Sequence, residues 1–95
     1  MSEKSIEHRL VVMVERAGGM APKFVSPGMA GMPDRIVLMP GGMIGFVEVK
    51  TPGKKPRKLQ LRRHVLLQNL GFQLFVLDDP EEIPGIISAI KEGKR

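Results

Sequence analysis

Two runs with strand character, 34–39 and 43–50, flank Pro40-Gly41-Gly42, and this hairpin signature constrains the chain more than any other feature. Side chains alternate along a strand, so Val47 and Val49 share one face while Glu48 and Lys50 share the other. Turn length decides what stands opposite them. If Met39 pairs with Met43 around a three-residue turn, Asp34 lies opposite Glu48, with Cβ atoms roughly 5 Å apart. A two-residue turn at Gly41-Gly42 would instead put Asp34 on the far face, short of a bulge.

The remaining elements follow from periodicity and punctuation. Residues 3–17 read as a helix: Ser2 caps it, Glu3 suits its positive end, and Ile6, Leu10, Met13, Val14 and Ala17 line one side. Gly18-Gly19 ends it. Residues 21–25 read as a short strand, and the Pro- and Gly-punctuated stretch 26–33 as a loop. After the hairpin, 59–70 reads as a second helix closed by Gly71, and 72–77 as an apolar strand buried on both faces. Asp79 caps a last helix with Pro80 at its first position and Ile83, Ile86, Ile87 and Ile90 as its inner stripe; Pro84-Gly85 should disturb its first turns. The order helix, three strands, helix, strand, helix argues an α/β fold in which helices flank a mixed sheet. Residues 1–95 are expected to form one domain.

Composition narrows the partners. The chain carries a net charge of +5 with a pI near 10.0, which favours a polyanion. Its four aromatics are all Phe, so a platform for stacking single-stranded bases is poorly supplied. Backbone contact through Lys54, Lys55, Arg57, Lys58, Arg62 and Arg63 is the expected mode, with Pro52-Gly53 and Pro56 stiffening the loop. Cysteine is absent, which removes disulfides and thiol chemistry. With no membrane-length apolar run and no signal peptide at its start, the chain is expected in the cytoplasm.

The acids give the chemistry. Opposed carboxylates repel unless something bridges them, and hard oxygen ligands without Cys, with no His near them in sequence, favour Mg²⁺ or Mn²⁺. Asp34, Glu48 and a backbone carbonyl such as that of Val49 leave positions for water and phosphate oxygens. Lys50, two residues after Glu48, is placed to orient a water or to offset charge building on phosphate. Together with the adjoining cationic loop, this set implies metal-dependent phosphodiester hydrolysis. The competing reading is a non-catalytic DNA-binding module that uses the loop from Lys54 to Lys58 and leaves the acids as surface residues. His8 is expected in solvent and His64 at the surface or facing DNA. The methionines read as flexible filling, and Asp78, Asp79, Glu81 and Glu82 as capping charges. Either the isoleucine-rich last helix or the loop 26–33 is a candidate for contact with a second copy.

Pro33-Asp34, thirteen intervening residues and Glu48-Val49-Lys50 resemble the PD-(D/E)XK nuclease motif. Its surroundings, Lys23 to Gly28, Gly31-Met32-Pro33-Asp34-Arg35 and Gln60-Leu61-Arg62-Arg63-His64, are similar to the stand-alone VRR-NUC domains of phages and bacteria. The resemblance covers nearly the whole chain. It implies a restriction-endonuclease-like core and a Mg²⁺- or Mn²⁺-dependent endonuclease acting on branched DNA. It further implies a homodimer that cuts four-way (Holliday) junctions symmetrically. The family's first-helix glutamate maps to Glu3 or Glu7, with Glu7 preferred as the acid that reaches the metal directly or through water. Its glutamine maps to Gln60, expected to position Lys50 or the phosphate.

Overall fold

Met39 pairs directly with Met43, so the hairpin turn is three residues long and the strands take the register that sets Asp34 against Glu48. Gly41 and Gly42 hold φ of 85° and 77° in that turn, the left-handed region where a Cβ is strained. The computed structural model describes residues 1–93. Its elements are α1 (Glu3–Arg16), β1 (Arg35–Met39), β2 (Met43–Val49), α2 (Lys58–Asn69), β3 (Gln73–Leu77) and α3 (Ile83–Glu92). The sheet order is β1-β2-β3, with β1 antiparallel and β3 parallel to β2. A mixed sheet flanked by helices is therefore the architecture, as the element order implies.

The sheet's two faces are used differently. Val37, Met39, Val47, Val49 and Leu77 point toward α1 and α3 and form one core with Ile6, Leu10, Val14, Ile83, Ile86, Ile87 and Ile90. Alternation then turns Phe46 and Glu48 toward α2. There Phe46 stands between Phe24 and Phe72, with ring centroids 5.4 and 5.6 Å away. The acidic side chain of β2 thus lies on the face with the smaller apolar cluster.

Three local expectations are corrected. Residues 21–25 are not a strand: an isolated bridge joins Lys23 to Arg35, and another, just before the segment, joins Met20 to Leu38. Pro22, between them, has no N–H to continue a ladder and only accepts, from Ile36 N at 3.2 Å. The strand from Gln73 to Leu77 is an edge strand, with Val76 exposed, because no further strand follows it in the sheet. The last helix begins at Ile83, after a 3-10 turn over Pro80–Glu82 that Asp79 caps through Glu81 N at 3.0 Å. Its isoleucines are spent on the core, which removes that helix as the apolar contact for a second copy.

Close packing makes one position in β2 sensitive. A Cβ on Gly45 would sit 2.6 Å from both Cγ1 and Cδ1 of Ile90, which is fully buried. Gly45→Ala is therefore expected to lower stability by about 2 kcal/mol, or roughly 10 °C in Tm. A thermal melt followed by circular dichroism checks this.

Candidate active site

Asp34 stands one residue before β1, after the buried Pro33, which fixes where the loop enters the sheet. Its Oδ2 accepts a hydrogen bond from Val49 N at 2.8 Å. That bond ties the acid to β2 beside Glu48, whose side chain is 1% exposed. Lys50 Nζ lies 3.7 Å from Glu48 Oε2, with its own side chain 15% exposed. Two acids and the lysine are thus gathered at one end of the hairpin.

Helix α2 holds the buried acid from the other side. Gln60 Nε2 donates to Glu48 Oε2 at 3.0 Å, while its Oε1 accepts from Arg57 N at 2.8 Å. Gln60 therefore secures Glu48 and the helix start, where the sequence pointed to Lys50 or the phosphate. His64 is corrected more fully. It is 5% exposed, with Nε2 3.4 Å from Glu48 Oε1, and so does not lie at the surface. The signal was present in the spacing: Gln60 and His64 are four apart and share a helix face.

Glu7 and Arg63 also have partners that the sequence did not reveal. Arg35 Nε donates to Glu7 Oε2 at 2.7 Å and Arg35 also bonds Ala21 O at 2.8 Å, pinning α1 and the chain after it to β1. Arg63 Nε donates to Ala30 O at 2.8 Å, latching the loop before Asp34 onto α2. Arg63, expected to contact DNA, thus also has a structural anchor through its Nε. Lys54, Lys55, Arg57, Lys58 and Arg62 are exposed. Neither the Arg35–Glu7 and Lys50–Glu48 ion pairs nor the His64–Glu48 contact uses them.

A solved structure described as a VRR_NUC domain matches this fold with a TM-score of 0.85 at 30% identity. The match covers 93% of this chain and 97% of that one. No protein-family model matches the sequence. A phage protein named "Putative nuclease p44", from Acyrthosiphon pisum secondary endosymbiont phage 1, is 51% identical over 88 residues. Those residues span 93% of this chain and 94% of that protein. The chain belongs to the VRR-NUC nuclease family.

In this VRR-NUC chain burial and the neighbouring Asp34 both act on Glu48. The Glu48 carboxyl is pushed from 4.5 up to about 7, first by burial, then by the charge of Asp34 and a hydrogen bond with it. The Glu3 charge adds to the rise and Lys50 opposes it. On the first helix, Glu3 is the acid among the causes of this rise, while Glu7 is paired with Arg35. Burial and the Lys50 charge hold His64 below the ordinary histidine range, so it is neutral near pH 7.

These residues fit a hard divalent cation. Asp34 and Glu48 would hold a dication through oxygen donors, and its charge would offset the burial and the Asp34 charge that raise Glu48. Among the described residues no three His, Cys, Asp or Glu side chains gather as a metal-holding group. The pair would therefore supply two ligands to an ion that keeps much of its water, as Mg²⁺ does.

Proposed function

We propose that this VRR-NUC nuclease is a Mg²⁺- or Mn²⁺-dependent, structure-selective DNA endonuclease that cuts four-way junctions as a homodimer. The observation carrying this reading is the placement of Asp34 beside Glu48, with Lys50 3.7 Å from Glu48, next to an exposed cationic loop. Asp34, Glu48 and the Val49 carbonyl would hold the ion. When bound, such an ion lowers the pKa of a coordinated water and polarises a phosphate oxygen. Lys50 steadies the attacking water and offsets charge on the phosphorane-like transition state. Gln60 keeps Glu48 in place. Glu3, freer than Glu7, takes the part of the first-helix acid through water.

The loop gives affinity without base reading. Lys54, Lys55, Arg57 and Lys58 reach phosphates, which position a duplex but carry no sequence information. Selectivity then comes from the shape of the substrate. One chain has one such site, and paired cuts across a junction take two; a two-fold dimer matches the symmetry of that substrate.

Neutralising Lys54, Lys55 and Arg57 together to Gln is expected to lower the salt slope of DNA binding by roughly 3. Thermal stability should stay within about 0.5 kcal/mol of the parent, since these are solvated positions. Fluorescence anisotropy across a salt series measures the first and a melt the second.

The reading is tested with labelled four-way-junction, flap and linear duplex DNA, each in Mg²⁺, Mn²⁺ and EDTA, alongside sedimentation of the protein. Paired cuts on the junction alone, lost in EDTA, with a dimer in solution, are the expected result. Binding without cleavage in either metal would leave a DNA-binding module and overturn the proposal.

A further inference from the structure

Helix α2 buries an unusual face. Its inner positions are Gln60, His64 and Leu67, whereas Leu61, Val65, Leu66 and Leu70 face outward. An amphipathic helix normally turns its apolar stripe to the sheet. Here two inner positions, one turn apart, are given to polar groups, and both meet the same carboxylate. Gln60 Nε2 takes Glu48 Oε2 at 3.0 Å and His64 Nε2 faces Glu48 Oε1 at 3.4 Å.

We propose that His64 is a positioning residue for the metal site, holding Glu48 Oε1 while Gln60 holds Oε2, so that the carboxylate plane is set toward Asp34. The inference rests on the metal-dependent nuclease reading. A neutral imidazole has one N–H, and opposite a carboxylate oxygen the favourable tautomer carries it on Nε2. At 3.4 Å the bond is long, so the ring works as much by filling the space behind Oε1 as by donating. A buried histidine with no partner would be costly, and among the described residues no buried side-chain nitrogen or oxygen lacks one. His64 is not itself catalytic: it is 5% exposed and lies behind Glu48 on the α2 side. Side chains that fix a ligand's orientation commonly change metal affinity 10- to 100-fold when removed.

The test compares wild type, His64→Leu and His64→Gln. Leu keeps the bulk without a donor, and Gln places an amide nitrogen where Nε2 stands. Mn²⁺ binding is measured by calorimetry without DNA, and melting in EDTA reports folding. The Leu variant is expected to bind Mn²⁺ about tenfold more weakly and to need correspondingly more Mn²⁺ for half-maximal cleavage, with the rate at saturating Mn²⁺ within about threefold of wild type. The Gln variant is expected within about threefold of wild-type Mn²⁺ affinity. A folded Leu variant that binds Mn²⁺ as tightly as wild type overturns the inference. So does a folded Gln variant as weak as expected for Leu, which keeps the test decisive if Leu does not fold. A wild-type protein that neither binds Mn²⁺ nor cuts DNA overturns the nuclease reading and this inference with it. Wild-type binding and cleavage beside an unaffected Leu variant overturn the inference alone.

Discussion

Glu48→Gln is expected to stop DNA cleavage and, in the same protein, to raise the stability of the metal-free fold at pH 8. Both effects come from one feature, a fully buried carboxylate beside a second acid. At pH 8 Glu48 is ionised although burial and Asp34 push its pKa up to about 7. Holding that charge costs the native state up to roughly 3 kcal/mol relative to the unfolded chain. The amide removes the charge, keeps an oxygen for Gln60 and offers a donor on its other arm. Lys50 loses a counter-ion, so the net gain should be about 2 kcal/mol, roughly 10 °C in Tm. Cleavage should fall at least about 10³-fold, because a neutral amide is a poor ligand for a dication and no longer helps neutralise it. Melts in EDTA and single-turnover cleavage measure the two. A variant that is less stable at pH 8, yet folded, contradicts the account of how the site is strained.

Wild-type protein in EDTA should lose stability as pH rises from 5 to 8. The sign follows from the direction of the shift. Glu48 binds its proton more tightly in the folded state, about 7 against 4.5, so its favourable contribution is complete below 4.5 and disappears as pH rises through 7. Up to roughly 3 kcal/mol is at stake over that window. The His64 imidazole, held below its ordinary range, contributes with the opposite sign in the same window, so the Glu48 part is read from the difference between wild type and Glu48→Gln. Mn²⁺ should reverse the loss at pH 8, since a ligand that binds only the native state adds stability by mass action. Its apparent affinity should fall as pH drops below 7, where the proton competes with the ion. Equal pH slopes in wild type and Glu48→Gln would show that Glu48 does not titrate in this range.

How far the site was legible depended on whether local pattern alone decided each element. The hairpin was legible because alternation and a Pro-Gly-Gly turn leave two registers, and the observed pairing of Met39 with Met43 selects the one that opposes Asp34 to Glu48. Helix α1 was legible because Ile6, Leu10 and Val14 repeat at helical spacing and all three are fully buried. Residues 21–25 misled because β-type composition says nothing about a missing N–H at Pro22. The partners of Glu7 and Arg63 were hidden for another reason. Arg35 and Ala30 lie 28 and 33 residues away, and tertiary packing, not sequence spacing, brings them together. His64 misled because its arginine neighbours suggested an outer face, while the helix turns it inward onto Glu48.

The most direct measurement is single-turnover cleavage of a labelled four-way junction by wild type and by Asp34→Asn, in Mn²⁺ and in EDTA. Asp34 is the choice because it is half-buried and its side chain accepts from Val49 N, a bond the Asn side-chain oxygen can still accept. The account predicts Mn²⁺-dependent paired cuts by wild type, none in EDTA, and a rate at least about 10³-fold lower for a folded Asp34→Asn protein. Cleavage by Asp34→Asn at the wild-type rate would contradict it.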